Sequence, residues 1–202
     1  QLTAGRYVSL CFDDFPQSAA RTAAPMIERC DWRATWYVSG GFMGGREPEY
    51  GKMFEAEDLQ LLRRNGHDFG CHTYDHINCR NASAEELAAQ VQKSEAFLAK
   101  QEITDPSSFA FPFGAADLSA KRVISETGMA LRGVKPGTNR DRVDLNMLKA
   151  CGLQDNEGGT ARALRELEAL KEQPGWLIIF THDVRETPSP WGVTPQDYAL
   201  LL

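Results

Sequence analysis

The chain has 202 residues, 42% of them hydrophobic and 25% charged, with a formal net charge of −6. That length and mix suit one globular domain over residues 1–202, built as a barrel or as a doubly wound sheet. No Lys/Arg cluster exceeds a pair such as Arg63-Arg64, so nucleic acid and anionic membrane are poor partners, and a neutral or cationic substrate is easier to reconcile with the field.

No apolar run approaches a membrane span; the longest, such as Leu177 to Phe180, read as buried strands. No signal peptide is visible, although the first residue is Gln1. The five cysteines, at 11, 30, 71, 79 and 151, form no CxxC pair. Scattered and odd in number, they read as small buried residues and favour a reducing, cytoplasmic setting over a disulfide framework.

In chain order, Tyr7 to Phe12 reads as a strand ending in Asp13-Asp14. Ser18 to Cys30 reads as a helix with Ser18 as N-cap and Met26 and Ile27 turned inward. Thr35 to Val38, β-branched and aromatic, is a second strand. Gly40 to Met53, with five glycines and Pro48, is a long loop. Ala56 to Asn65 is a short helix closed by Gly66, and a short extended piece then delivers His72. Ser83 with Glu86 makes a capping box for the clearest helix, whose Leu87, Val91, Ser94 and Leu98 recur at helical spacing. Phe109 to Phe113 is a strand, Lys121 to Thr127 a helix ended by Gly128, and Ala130 to Val134 a strand. Thr160 to Glu172 is a helix, Trp176 to Thr181 the last strand, and Thr194-Pro195 opens a final helix. Strands separated by helix-length crossovers give parallel βαβ units. In an α/β barrel, the loops after the strands build the active site. Asp13-Asp14, His72, Phe113-Gly114 and His182 all sit just after strand runs, so four segments point to one mouth.

His72-Thr73-Tyr74-Asp75-His76 places two imidazoles four residues apart. On a helical turn they would share a face and meet one ion, unless they are merely two polar turn residues. Asp13-Asp14 can supply a carboxylate as third ligand. Adjacent strand residues point to opposite sides, so one Asp can bind metal while the other serves as a base. His182, after a continuous apolar strand, is a polar cap or a general acid. His67 reads as structural, tying down the turn after the second helix.

Together these residues resemble the polysaccharide deacetylase family, carbohydrate esterase family four, with its chitooligosaccharide-deacetylase homology domain. The family's aromatic-Asp-Asp motif is matched by Phe12-Asp13-Asp14, and its H-[ST]-x-x-H by His72-Thr73-Tyr74-Asp75-His76. Gly66-His67-Asp68-Phe69-Gly70 nearly keeps the usual lead-in, and Phe180-Thr181-His182 meets the last motif. The likeness runs from about Tyr7 to Val184. It implies a deformed (β/α) barrel, usually of seven strands, and a metal-dependent hydrolase that removes N- or O-acetyl groups from a polysaccharide or oligosaccharide. It also assigns roles: Asp13 the base, Asp14, His72 and His76 the metal ligands, His182 the acid, and the Phe113 amide a donor to the oxyanion. Two imidazoles and a carboxylate suit zinc first, with cobalt, nickel or iron also accommodated.

Three positions depart from the pattern. The third motif, usually Arg-x-Pro-Tyr-Gly, reads Ala110-Phe111-Pro112-Phe113-Gly114, so the arginine that braces the base is absent and Phe113 replaces Tyr. Arg132 or Arg140 is expected to reach Asp13 in its place. The fourth motif's Asp-Trp finds its nearest match in Asp144-Leu145, with Asp141 as a second candidate, and Asp144 is expected to orient His182. Phe42, Tyr50 and Trp191 are expected either to stack on sugar rings or to pack ordinary loops. The rival readings are a same-fold amidohydrolase for a non-sugar amide, a catalytically weak carbohydrate-binding relative, and a structural metalloprotein.

Overall fold

The computed structural model describes residues 5–104, 106–154 and 156–202. Among the described residues nine strands form, β1 (Arg6–Phe12), β2 (Thr35–Val38), β3 (Arg46–Glu47), β4 (Gly51–Lys52), β5 (Asp68–Cys71), β6 (Ser108–Ala110), β7 (Ala130–Arg132), β8 (Cys151–Gly152) and β9 (Gly175–Thr181). The helices are α1 (Ala24–Arg29), α2 (Ala56–Arg64), α3 (Ala84–Lys100), α4 (Leu118–Ser125), α5 (Gly159–Glu172) and α6 (Pro195–Ala199). Seven strands make one sheet in the order β7-β6-β5-β2-β1-β9-β8, and every pair in it is parallel. Parallel neighbours need crossovers, and the helices supply them.

The edge strands β7 and β8 are bridged by one irregular segment. Leu131 N donates to Leu145 O and Gly133 N to Leu148 O, while further along the same segment Cys151 pairs with Ile179. The sheet thus curls into the deformed (β/α) barrel that the sequence led us to expect.

Hydrophobic runs explain the core. β9 is buried along nearly its whole length, and the second half of β1 (Leu10, Cys11, Phe12) lies beside it. Phe12 stacks on Trp36 with ring centroids 4.3 Å apart, and Phe15 on Phe54 at 4.5 Å. Truncating a buried ring such as Trp36 to Ala would cost about 3–5 kcal/mol. On the far side, α3 buries Leu87, Val91, Ser94 and Leu98, the positions its periodicity marks, and the Ser83 hydroxyl accepts from Glu86 N. The five cysteines are free thiols, with only Cys30 exposed. Among the described residues, no helix is long and apolar enough to cross a membrane.

Three local expectations are corrected, and one strand was not anticipated. Ser18 does not cap: its backbone is already helical, its hydroxyl has no partner, and the first turn, Ala19–Ala23, is a π-helix. The Gly40 to Met53 loop carries a two-stranded ribbon, β3 against β4. The third-motif strand stops at Ala110, because Pro112 has no N–H for a ladder and Phe113 turns left-handed (φ 57°). Finally β8, two residues long, was too short to leave a pattern in the sequence.

Candidate functional site

A cavity of about 550 Å³ opens at the carboxyl ends of the strands, and Asp13, Asp14, His72, His76, Phe113 and His182 all line it. The sequence-marked segments therefore do converge on one mouth.

Asp13 and Asp14 reach the cavity together, not on opposite sides. β1 ends at Phe12 and the chain turns left-handed at Asp14 (φ 60°) and Phe15 (φ 66°), closed by Phe15 N donating to Asp13 O at 2.6 Å. The alternation of a strand no longer applies there, yet each carboxylate keeps its own partners.

The two imidazoles are also brought together without a helix. Residues 72–76 form an irregular loop with left-handed backbone at Thr73 (φ 54°) and His76 (φ 50°), held by Ile77 N donating to Thr73 Oγ1. The rings lie 5.0 Å apart. His72 Nε2 is 3.2 Å and His76 Nε2 2.9 Å from Asp14 Oδ1, and one ligand atom from each residue lies within 4.8 Å of the others.

The donor set fits a cation. His72 Nδ1 lies 2.7 Å from Ala110 O, which can only accept, so Nδ1 carries the hydrogen. In the neutral ring, Nε2 then presents a lone pair to Asp14 Oδ1, a buried oxygen without a hydrogen-bond donor. Acceptor facing acceptor in a dry site is costly unless a proton or a cation lies between them. Burial alone would push the Asp14 carboxyl up; the imidazoles of His72 and His76, with His182 nearby, hold it well below the usual carboxylate range. A bound divalent ion would meet two nitrogens and one oxygen, with an open position toward the cavity.

Asp13 is braced by a different strand from the one the family pattern uses. Ala110 on β6 is in register with Arg132 on β7, and Arg132 Nη2 lies 2.5 Å from Asp13 Oδ1. The guanidinium is buried and sits 4.8 Å from the ring centroids of both Tyr37 and Phe180. Burial opposes its charge, but Asp13 together with Tyr37 and Cys11 leaves it held above the usual arginine range. Arg140, the other sequence candidate, turns away to Gln173.

His182 Nδ1 lies 3.1 Å from Trp191 O, again a pure acceptor, so Nδ1 carries a hydrogen and Nε2 is the ring nitrogen left toward the site, 3.9 Å from Asp14 Oδ2. Asp144 does not orient it. Its carboxylate is exposed, takes a bond from Lys121 and accepts Asn146 N, and it is not among the cavity residues. Leu145 is likewise exposed and forms no wall there.

Around the mouth, Phe113 stands exposed with its ring 4.5 Å from that of His76, and Tyr50 stacks on His182 at 5.5 Å and 9°. Trp191 lines the rim, whereas Phe42 is not among the cavity residues and lies against the 72–76 loop, its ring 5.4 Å from that of His76. His67 is structural: Nδ1 accepts from Ala34 N and Trp36 Nε1 while Nε2 faces Glu28.

Asp183 and Arg185 escaped the sequence reading, although Asp183 directly follows His182. Asp183 is fully buried, accepts from Ser189 N and Oγ, and pairs with Arg185 at 2.7 Å. Gly192 is required beside it, since a Cβ there would fall 2.2 Å from Asp183 Oδ1.

The barrel thus brings a carboxylate and two imidazoles together at its mouth. Residues 2–131, more than half of the chain, match the family model described as polysaccharide deacetylase. The chain belongs to the polysaccharide deacetylase family. No curated protein sequence is similar at a significant level. Among solved structures, it is similar to the Streptococcus pyogenes deacetylase PplD in complex with acetate, with 22% identity and TM-score 0.64. That alignment covers 74% of this chain and 65% of the other, so this chain spans just under two thirds of that relative. The chitin deacetylase of the fungal pathogen Colletotrichum lindemuthianum is 19% identical over 91% of this chain and 76% of its own, with TM-score 0.65. A CE4 family pseudoenzyme from Bacillus anthracis is 14% identical over 97% of this chain and 58% of its own, also at 0.65. At these identities, the structures establish the shared fold.

Proposed function

We propose that this chain is a metal-dependent hydrolase that removes acetyl groups, N- or O-linked, from a polysaccharide or oligosaccharide. The observation that carries this reading is the buried Asp14 oxygen facing two imidazole nitrogens, beside a second buried carboxylate clamped by Arg132. Asp14, His72 and His76 would hold the ion, with zinc preferred and cobalt, nickel or iron accommodated. When bound, a divalent ion supplies Lewis acidity, which makes an acetyl carbonyl more electrophilic and water more acidic.

The chain's own residues supply the rest. Arg132 takes Asp13 Oδ1 and fixes the carboxylate, whose remaining oxygen accepts the proton of the attacking water. The Phe113 N–H is the donor for the developing oxyanion; the next two amides are already spent, Gly114 N on Phe111 O and Ala115 N on Pro112 O. His182, with Nδ1 held by Trp191 O, delivers a proton from Nε2 to the departing nitrogen or oxygen. Acetate and a free amine or hydroxyl leave. Aromatic groups at the mouth (Tyr50, Phe113, Trp191) suit the apolar faces of sugar rings.

Acetate release from a panel of N- and O-acetylated oligosaccharides, with and without a chelator, tests the reading. Release that a chelator abolishes and added zinc restores is expected; release indifferent to the chelator would refute the metal role. The second reading, a carbohydrate-binding protein with little catalysis, is prompted by the same-fold pseudoenzyme and by Ala110. Bound sugar without release would establish it.

A further inference from the structure

The tip of the β3–β4 ribbon takes no part in the proton transfers above, yet it is tied down from two sides. Arg185 donates from Nη2 to Glu49 O (2.6 Å) and from Nη1 to Tyr50 O (3.1 Å), and Trp191 Nε1 donates to Glu49 Oε2 (3.0 Å). Arg185 is itself fixed by the fully buried Asp183. What this holds in place is the Tyr50 side chain. Its ring stacks on the His182 imidazole, centroids 5.5 Å apart and planes 9° apart, and both line the cavity with Asp14, whose carboxylate interacts with the Tyr50 hydroxyl.

A ribbon tip that served only as a wall would not need two backbone carbonyls clamped by one guanidinium. A phenol placed this way does two things at once. It offers its hydrogen to the carboxylate that faces the imidazoles, which limits the rotation of that carboxylate. It also blocks one face of His182, whose other restraint is a single bond to a backbone carbonyl. Partners of metal ligands typically change metal affinity 10- to 100-fold when removed.

We propose that Tyr50 is a positioning residue for both ends of the site, fixing Asp14 through its hydroxyl and His182 through its ring, with Arg185 as the strut that keeps it there. This rests on the metal site proposed above.

The test is zinc affinity by competition with a chromophoric chelator, and acetate release at saturating zinc, for the full chain as wild type, Tyr50→Phe, Tyr50→Leu and Arg185→Gln. Tyr50→Phe keeps the ring and is expected to weaken zinc binding about tenfold or more. Tyr50→Leu should weaken zinc equally and lower kcat further without a matching rise in KM. Arg185→Gln should weaken zinc by a smaller factor, because the phenol remains but is less well held. Zinc affinity of Tyr50→Phe within twofold of wild type overturns the Asp14 part. Equal kcat in Tyr50→Leu and Tyr50→Phe overturns the His182 part. A wild type that binds no zinc removes the metal site and this proposal together, whereas one that binds zinc and releases no acetate fails the substrate reading and leaves the affinity comparison intact.

Discussion

On the floor of the cavity, Asp13, Asp14, His72 and Arg132 are buried at the carboxyl ends of β1, β5 and β7, whereas its rim, formed by Tyr50, Phe113 and Trp191, hangs from loops and is partly open to water. The floor owes its geometry to strand register and to charged pairs with no solvent to compete. The rim owes its geometry to tethers between loops, several of them made by backbone carbonyls. Errors in the floor should therefore cost metal, catalysis and stability at once, and errors at the rim should cost mostly alignment.

The comparison breaks first at the ligands, where the largest effects belong. Asp14→Ala or His72→Ala should drop bound zinc from about one per chain to none and reduce acetate release to background, read by metal analysis and an acetate assay. A variant that still bound one zinc tightly would move the site elsewhere. Next comes Asp13→Asn, which keeps the volume and an acceptor for Arg132. We expect full metal content with kcat lowered about 10²- to 10⁴-fold, the usual worth of a general base; unchanged turnover would remove Asp13 from that role.

Arg132 separates support from chemistry. Arg132→Ala strands a buried carboxylate and should cost about 3–5 kcal/mol in denaturant unfolding, together with activity. The double variant Ala110→Arg, Arg132→Ala returns a guanidinium to the neighbouring register position and should recover much of both. If the single variant is as stable as wild type, the pair is not what holds the floor together. Smallest of all is Asp144→Ala. Its carboxylate serves an exposed Lys121, and such surface pairs contribute about 0–1 kcal/mol, so kcat and its pH profile should stay within twofold. A large loss would restore Asp144 as the partner of His182 and overturn the contrast drawn here.

The same division explains what could be read without coordinates. Strand and helix order, the α3 cap and the convergence of Asp13, Asp14, His72, His76 and His182 were legible because each depends on side-chain type at fixed spacing. The way His72 and His76 meet was not. A helical turn is the economical reading of a four-residue interval, and the left-handed turns at Thr73 and His76 carry no glycine to announce them. The partner of His182 was out of reach for a plainer reason: it is the carbonyl of Trp191, and a backbone oxygen has no letter in the sequence. Asp144 drew the assignment because a carboxylate is visible in a sequence and a carbonyl is not.

The register of Ala110 with Arg132 has a wider consequence. Two residues 22 positions apart along the chain occupy adjacent places on one face of the sheet, so either can deliver a positive charge to the same carboxylate. A scan of motifs along the chain scores the first place as a loss and is blind to the second. Whether a barrel of this kind is equipped for catalysis is then a question about rows across the sheet. The vocabulary for reading it is that of neighbouring strands, in which a deletion at one position and an arginine at its lateral partner form a single exchange.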